Sequence, residues 1–157
     1  ICSTPSSVSP LVLYFGGSTK TQEMSNAIHV LNTKSWEWAR HETPAAARSS
    51  AVVCNVDGSD DFVMGLGGGI GSKGYEGGGG LCMFDDLWLC EINGDSHDSE
   101  AKFTELAVGG QTPVGRVASE MIKYPKGGKT SFLLQGGWNP KHGVVNGEEV
   151  LEITTEN

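Results

Sequence analysis

The sequence predicts an all-β fold of repeated short antiparallel sheets, and three observations carry that expectation. Apolar residues fall in strand-length runs, such as Leu11-Val12-Leu13-Tyr14-Phe15, Ser50-Ala51-Val52-Val53 and Ser131-Phe132-Leu133-Leu134. Glycine supplies 23 of 157 residues, about twice the ~7% of average usage, and it is clustered rather than placed at every third position. The same four features then recur in the same order along the chain.

Each run is five to eight residues long, rich in Val, Ile, Leu and aromatics, and bounded by glycine or polar clusters, which is too short for a typical helix. The repeat organises these runs. Three of them end in paired glycines: Gly16-Gly17, Gly67-Gly68 and Gly136-Gly137. After each pair comes a variable polar loop, then a second run that opens on acids or an amide, at Asn26-Ala27-Ile28, Asp85-Asp86-Leu87 and Glu148-Glu149-Val150. A third run follows, Trp36-Glu37-Trp38 in the first unit and Phe103-Thr104-Glu105-Leu106 in the second. The fourth feature opens the next unit: Pro44 with Arg48 precedes 49–56, and Pro113 with Arg116 precedes 117–124.

With Gly16, Gly67 and Gly136 as markers, the units lie 51 and 69 residues apart. Two insertions account for the longer interval, a glycine-rich loop over 70–83 and an acidic segment over 93–102. From 11 to 153 the chain resembles the Kelch-repeat family, whose unit is an apolar strand ending in Gly-Gly, an acidic-aromatic strand and a later Trp. The third unit is the weakest match, because Leu151 stands where an aromatic is usual and no terminal Trp follows.

The resemblance implies a β-propeller in which four strands make one blade. The units are 11–47, 48–115 and 116–157, about two and a half blades. The first is expected to lack its opening strand and the last its closing strand. Propellers close with about 4–8 blades, so the expectation is a portion of a larger propeller, completed by further blades or chain segments. Trp36, Trp38 and Trp88 are expected to fill the wedges between blades, where each would bury ~150–250 Å².

Composition narrows the function. A net charge of −8 and a pI near 4.9 oppose a general affinity for nucleic acid or anionic membrane. No apolar stretch reaches the ~20 residues of a membrane helix, and 1–10 lacks the charged start and apolar core of a signal peptide. Cys2, Cys54, Cys82 and Cys90 show no C-x-x-C spacing, which reads as free thiols in a reducing compartment, with a disulfide or metal pair as the alternative. The expected location is intracellular and cytoplasmic.

Several motifs fail on inspection. Gly69-Ile70-Gly71-Ser72-Lys73-Gly74 fits G-x-G-x-x-G, but Gly77 to Gly80 stand where the required helix would propagate. Gly127-Gly128-Lys129-Thr130 imitates the end of a P-loop, but Lys123 occupies the first glycine's place, so a hairpin turn is the better reading. His29, His41, His97 and His142 are isolated and match no zinc spacing. Some plant Kelch proteins hold iron through Glu-x-x-x-Asp-x-x-x-His; here Glu91 and Asp95 fit, but Ser99 replaces the histidine. No cofactor is expected. Asp85-Asp86 and Glu148-Glu149 read as one repeat position that accepts backbone N–H groups at a strand start.

The resemblance implies a non-catalytic protein-interaction module or scaffold, whose inter-strand loops meet a protein partner. The candidate binding residues are Lys20, Arg48, Lys73, Tyr75, Arg116, Trp138 and His142, because Arg, Tyr and Trp dominate binding hot spots. For Arg48 and Arg116 the alternative is a structural role at the blade entrance, bound to carbonyls or a carboxylate. For Trp138 it is filling between blades. The rival functions are a propeller-based enzyme or metal-dependent specifier protein using the central channel, and an architectural subunit of a large assembly.

Overall fold

The computed structural model describes residues 2–21, 23–70, 81–94, 100–124 and 130–152. Among these there is no helix, and the strands form three sheets and two small ribbons. The first sheet is β1 (Cys2–Pro5), β2 (Leu11–Phe15), β3 (Ala27–Asn32) and β4 (Trp38–Glu42), in chain order. The second is β5 (Val52–Asn55), β6 (Asp61–Gly65), β9 (Leu87–Asn93) and β10 (Glu100–Glu105). The third has β11 (Glu120–Lys123), β12 (Ser131–Gln135) and β15 (Glu148–Glu152). All pairings are antiparallel.

The ribbons β7 (Gly68–Ile70) with β8 (Leu81–Met83), and β13 (Trp138–Asn139) with β14 (Gly143–Val144), are parts of the loops joining second to third strands. Thus the inserted length of the second unit begins and ends as a hairpin.

One expectation is corrected at the N-terminus. The first sheet has its opening strand: β1 pairs with β2 from Cys2 opposite Phe15 to Pro5 opposite Val12. The described strands therefore make two complete four-stranded sheets and three strands of a third. The first unit starts at Cys2 rather than Leu11. Pro5 is compatible with a strand here because β1 lies at the sheet edge, where a missing N–H breaks no ladder.

Alternating residues assign each sheet face to one neighbour. Leu11, Leu13, Phe15, Ile28 and Val30 of the first sheet pack on Val53, Phe62, Met64 and Cys90 of the second, forming one core. The opposite face of the second sheet, with Val52, Cys54, Val63 and Leu87, packs on Met121, Phe132 and Leu134 of the third to form another. The first strands β1, β5 and β11 run side by side, with β5 between the other two. They line an open cleft of about 330 Å³ that includes Ser3, Thr4, Ser119 and Lys123.

Ladder register gives the residue equivalences. Phe15 lies opposite Ile28, Gly65 opposite Leu87 and Gln135 opposite Glu148, so the residues that follow are Gly16, Leu66 and Gly136. The sequence alignment was one residue out in the second unit, since Leu66 rather than Gly67 matches Gly16. All three adopt left-handed backbone, with φ of 66°, 51° and 63°. The next residues, Gly17, Gly67 and Gly137, do so too, at 104°, 94° and 106°. The repeat interval becomes 50 and 70 residues.

Candidate functional site

The strongest repeated chemistry sits where one sheet passes to the next. Arg48, entering the second sheet, is fully buried. Its Nε donates to the Ala46 carbonyl at 2.8 Å, and one terminal nitrogen reaches the Leu66 carbonyl at 3.1 Å. The two terminal nitrogens grip Asp86 at 2.5 and 2.7 Å, a planar fork on a carboxylate. The guanidinium also lies 4.4 Å from the centre of the Phe84 ring.

The Arg48 backbone turns the other way. Its carbonyl accepts the Gly17 N–H at 2.8 Å and its N–H donates to the Ser25 carbonyl at 3.0 Å, both in the first sheet's loop. One residue therefore ties two blades together. Gly16 faces that carbonyl so closely that a Cβ would lie 2.4 Å from it.

Arg116 repeats the arrangement at the next junction, also fully buried. Nε donates to the Val114 carbonyl at 2.8 Å, a terminal nitrogen to the Gly136 carbonyl at 3.2 Å, and the other to Glu149. Its carbonyl accepts the Gly67 N–H at 2.9 Å.

The carboxylates come from different repeat positions, contrary to the sequence expectation. Asp86 immediately precedes β9, whereas Glu149 is the second residue of β15 and is equivalent to Trp88. Positions two apart point to the same side of a strand, so either can meet the arginine. In the second unit the indole Nε1 of Trp88 donates to Asp86 at 2.7 Å, completing the set. Burial pushes the Asp86 carboxyl up. The Arg48 and Trp88 hydrogen bonds and the Arg48 charge outweigh it and hold the group below its ordinary value.

Arg48 and Arg116 are therefore corrected as surface-binding candidates: neither side chain is exposed, and each is committed to its own blade. Lys20 and His142 are exposed, on equivalent loops between second and third strands. Trp138, on β13 of the same loop as His142, is 42% exposed. Lys73 and Tyr75 lie outside the described residues.

The tryptophans divide. Trp88 is partly buried against the core between the first two sheets. Trp36 and Trp38, expected to fill wedges between blades, are 72% and 53% exposed in this chain. Trp36 sits in the β3–β4 turn with φ 61°, and Trp38 lies on the open face of the first sheet, tilted at 47° against Tyr14 with ring centres 5.4 Å apart. Among the described residues no three His, Cys, Asp or Glu side chains cluster as a metal site would require.

This chain is similar to the solved structure of YjhT, a Kelch-repeat β-propeller protein, with a TM-score of 0.65 at 14% identity. The fold is that of β-propeller blades, part of a larger propeller. The match covers 98% of this chain but 44% of that one, so the chain spans under half the length of that propeller. No family model matches the sequence, and no curated protein matches it.

Proposed function

We infer that this Kelch-type segment is a non-catalytic interaction module whose second-to-third-strand loops contact a protein partner. The observation that carries this reading is the division of labour at each repeat. Buried arginine locks fix the frame, while equivalent loops present Lys20 and His142 to solvent. Rigid scaffolds that display variable polar loops concentrate binding there. Lys73 and Tyr75 belong to the middle loop of the same series. An intracellular, reducing setting agrees with Cys90, which is a buried free thiol.

The test replaces Lys20, Lys73, Tyr75 and His142 together by alanine and compares captured proteins, identified by mass spectrometry, with those of the unaltered chain. The melting temperature should hold while specific capture falls at least tenfold. Undiminished capture with full stability removes the loops from the binding surface. It would turn attention to the cleft at β1, β5 and β11, where the competing enzymatic reading places its chemistry.

A further inference from the structure

At the end of the strands opposite the arginine locks, three blades meet on one buried amide. Asn55, the last residue of β5, is fully buried and uses all of its ordinary hydrogen-bonding positions. Its Nδ2 donates to the carbonyls of Ser59 and Asp61, each at 3.0 Å. Its Oδ1 accepts the Ser7 N–H at 3.0 Å and the Lys123 Nζ at 3.2 Å. The β5–β6 turn is thus held by the first blade on one side and by the third on the other.

The first blade's grip comes from three serines in its β1–β2 turn, Ser6-Ser7-Val8-Ser9-Pro10. The hydroxyls of Ser6 and Ser9 donate to the same atom, Oδ1 of Asp60, and the Ser7 Oγ accepts the Gly58 N–H at 3.2 Å. Ser7 and Val8 are exposed, so the grip lies at the surface, where each hydrogen bond competes with water and contributes little net. The turn's hold on its own blade is separate. The Pro10 carbonyl accepts from both the N–H and the Oγ1 of Thr33, at 2.8 and 2.9 Å, and the Ser6 N–H donates to the Leu11 carbonyl at 2.8 Å. The turn can therefore let go of the second blade without leaving the first.

Of the three serines, Ser9 alone is followed by proline, the dipeptide that proline-directed protein kinases accept. We propose that Ser9 is a phosphorylation site for a kinase of that class, and that its phosphoryl group releases the first blade's turn from the second blade. The Ser9 hydroxyl oxygen attacks the γ-phosphorus of ATP and the bond from that phosphorus to the bridging oxygen breaks. ADP leaves, and the hydroxyl proton passes to the kinase's catalytic carboxylate. The product has lost the O–H that donated to Asp60, and it sets a charge of about −1.5 to −2 against that carboxylate. Asp57 and Asp61 belong to the same acidic turn, and Lys123, the cation that reaches it, is already engaged by Asp57 at 2.5 Å and by Asn55. Repulsion at Asp60 carries Ser7 away from Asn55 and Gly58.

The experiment incubates the folded chain with ATP, magnesium and a purified mitogen-activated protein kinase, then maps phosphate by mass spectrometry. Phosphate should appear at Ser9 and not at Ser6 or Ser7, and Pro10→Ala should slow its incorporation at least about tenfold while keeping the melting temperature. Hydrogen exchange is then compared in the modified and unmodified chains. The amides of Ser7 and Gly58 should exchange at least about tenfold faster after modification, with the β2–β3 ladder unchanged. Asp60→Asn removes the opposing charge, so in that variant phosphorylation should change the same two amides less than about twofold. Failure of the folded chain to take phosphate at Ser9, while a peptide of residues 3–15 takes it from the same kinase, overturns the proposal. So does phosphorylation that leaves the two amides unchanged, or that slows them because Lys123 recruits the phosphate. Loss of β2–β3 protection as well would overturn release of a turn in favour of unfolding of a blade.

Discussion

Arg48 and Asp86 face each other through two parallel hydrogen bonds, the guanidinium wholly buried and the carboxylate partly so. Because the same arginine's backbone grips the preceding blade, the pair sets the position of one sheet against another as well as the geometry inside a sheet. Arg48→Ala should cost about 3–5 kcal/mol, the usual penalty for stranding one member of a buried pair. Arg48→Lys should recover little, since a point charge cannot reproduce a planar fork. Denaturant unfolding of the three proteins checks this; a loss for Arg48→Ala below ~1 kcal/mol would make the lock ornamental.

The depressed Asp86 carboxyl gives the lock a pH signature. Its folded value lies below the unfolded 3.8, so its contribution is fully present above that value and lost as pH falls through the folded one. Melting temperature should drop on acidification below about pH 4, and Asp86→Asn should flatten that part of the profile while lowering stability at pH 7. An unchanged acid limb in Asp86→Asn would assign the acid sensitivity to other carboxylates.

Trp88 contributes an indole N–H as well as packing. Trp88→Phe should cost about 1.5–3 kcal/mol, as for a hydrogen bond to a charged group, and should shift the Asp86-dependent acid limb upward. Trp88→Ala removes the ring too, and should cost about 3–5 kcal/mol. Urea curves for both variants, measured at pH 7 and near pH 4, separate the two contributions.

Leu66 holds a left-handed backbone at φ 51° while its side chain is fully buried in the second core. A non-glycine residue there costs about 1–2 kcal/mol, and emptying a buried leucine site costs about 2–5 kcal/mol. Leu66→Gly should therefore destabilise the protein despite relieving the backbone. A stabilised Leu66→Gly would show that the core closes over the missing side chain.

Cys90 is fully buried between the first two sheets. Burial, with Asp61 and Glu91 adding negative charge, pushes its thiol up to about 12. Since the thiolate is the reactive form, Cys90 should resist alkylation at pH 8 in the native protein and react at the rate of unfolding. Mass mapping of the labelled peptide with increasing urea gives the readout, and rapid native labelling would place Cys90 at an opening seam.

The sequence made the repeat readable because paired glycines, acidic strand starts and entry arginines are local marks. What escaped it was set by partners distant in the chain. Cys2–Pro5 has little strand character of its own and becomes β1 because β2 offers it a ladder. Asp86 and Glu149 looked equivalent because both follow an acidic neighbour, but ladder register places them two residues apart. Arg48 and Arg116 were visible as repeated residues, yet a recurring arginine reads equally as a contact or a lock until burial decides. Trp36 and Trp38 are exposed in this chain, because aromatic identity does not reveal which sheet face has a neighbour within it.

The loops between second and third strands are stapled at the base by one backbone hydrogen bond each: Ser25 N–H to Gly17, Phe84 N–H to Gly67 and Val145 N–H to Gly137. The staple spans 8, 17 and 8 residues along the chain, so roughly doubled length leaves it in place. Closing a loop twice as long costs only about 0.6 kcal/mol. Loop length is thus uncoupled from blade geometry, and foreign peptides could be grafted between Gly17 and Ser25, or between Gly137 and Val145, without redesigning the sheets beneath. The middle loop is a natural instance of such an expansion, and the fold can acquire a new specificity by lengthening a loop rather than by altering a strand.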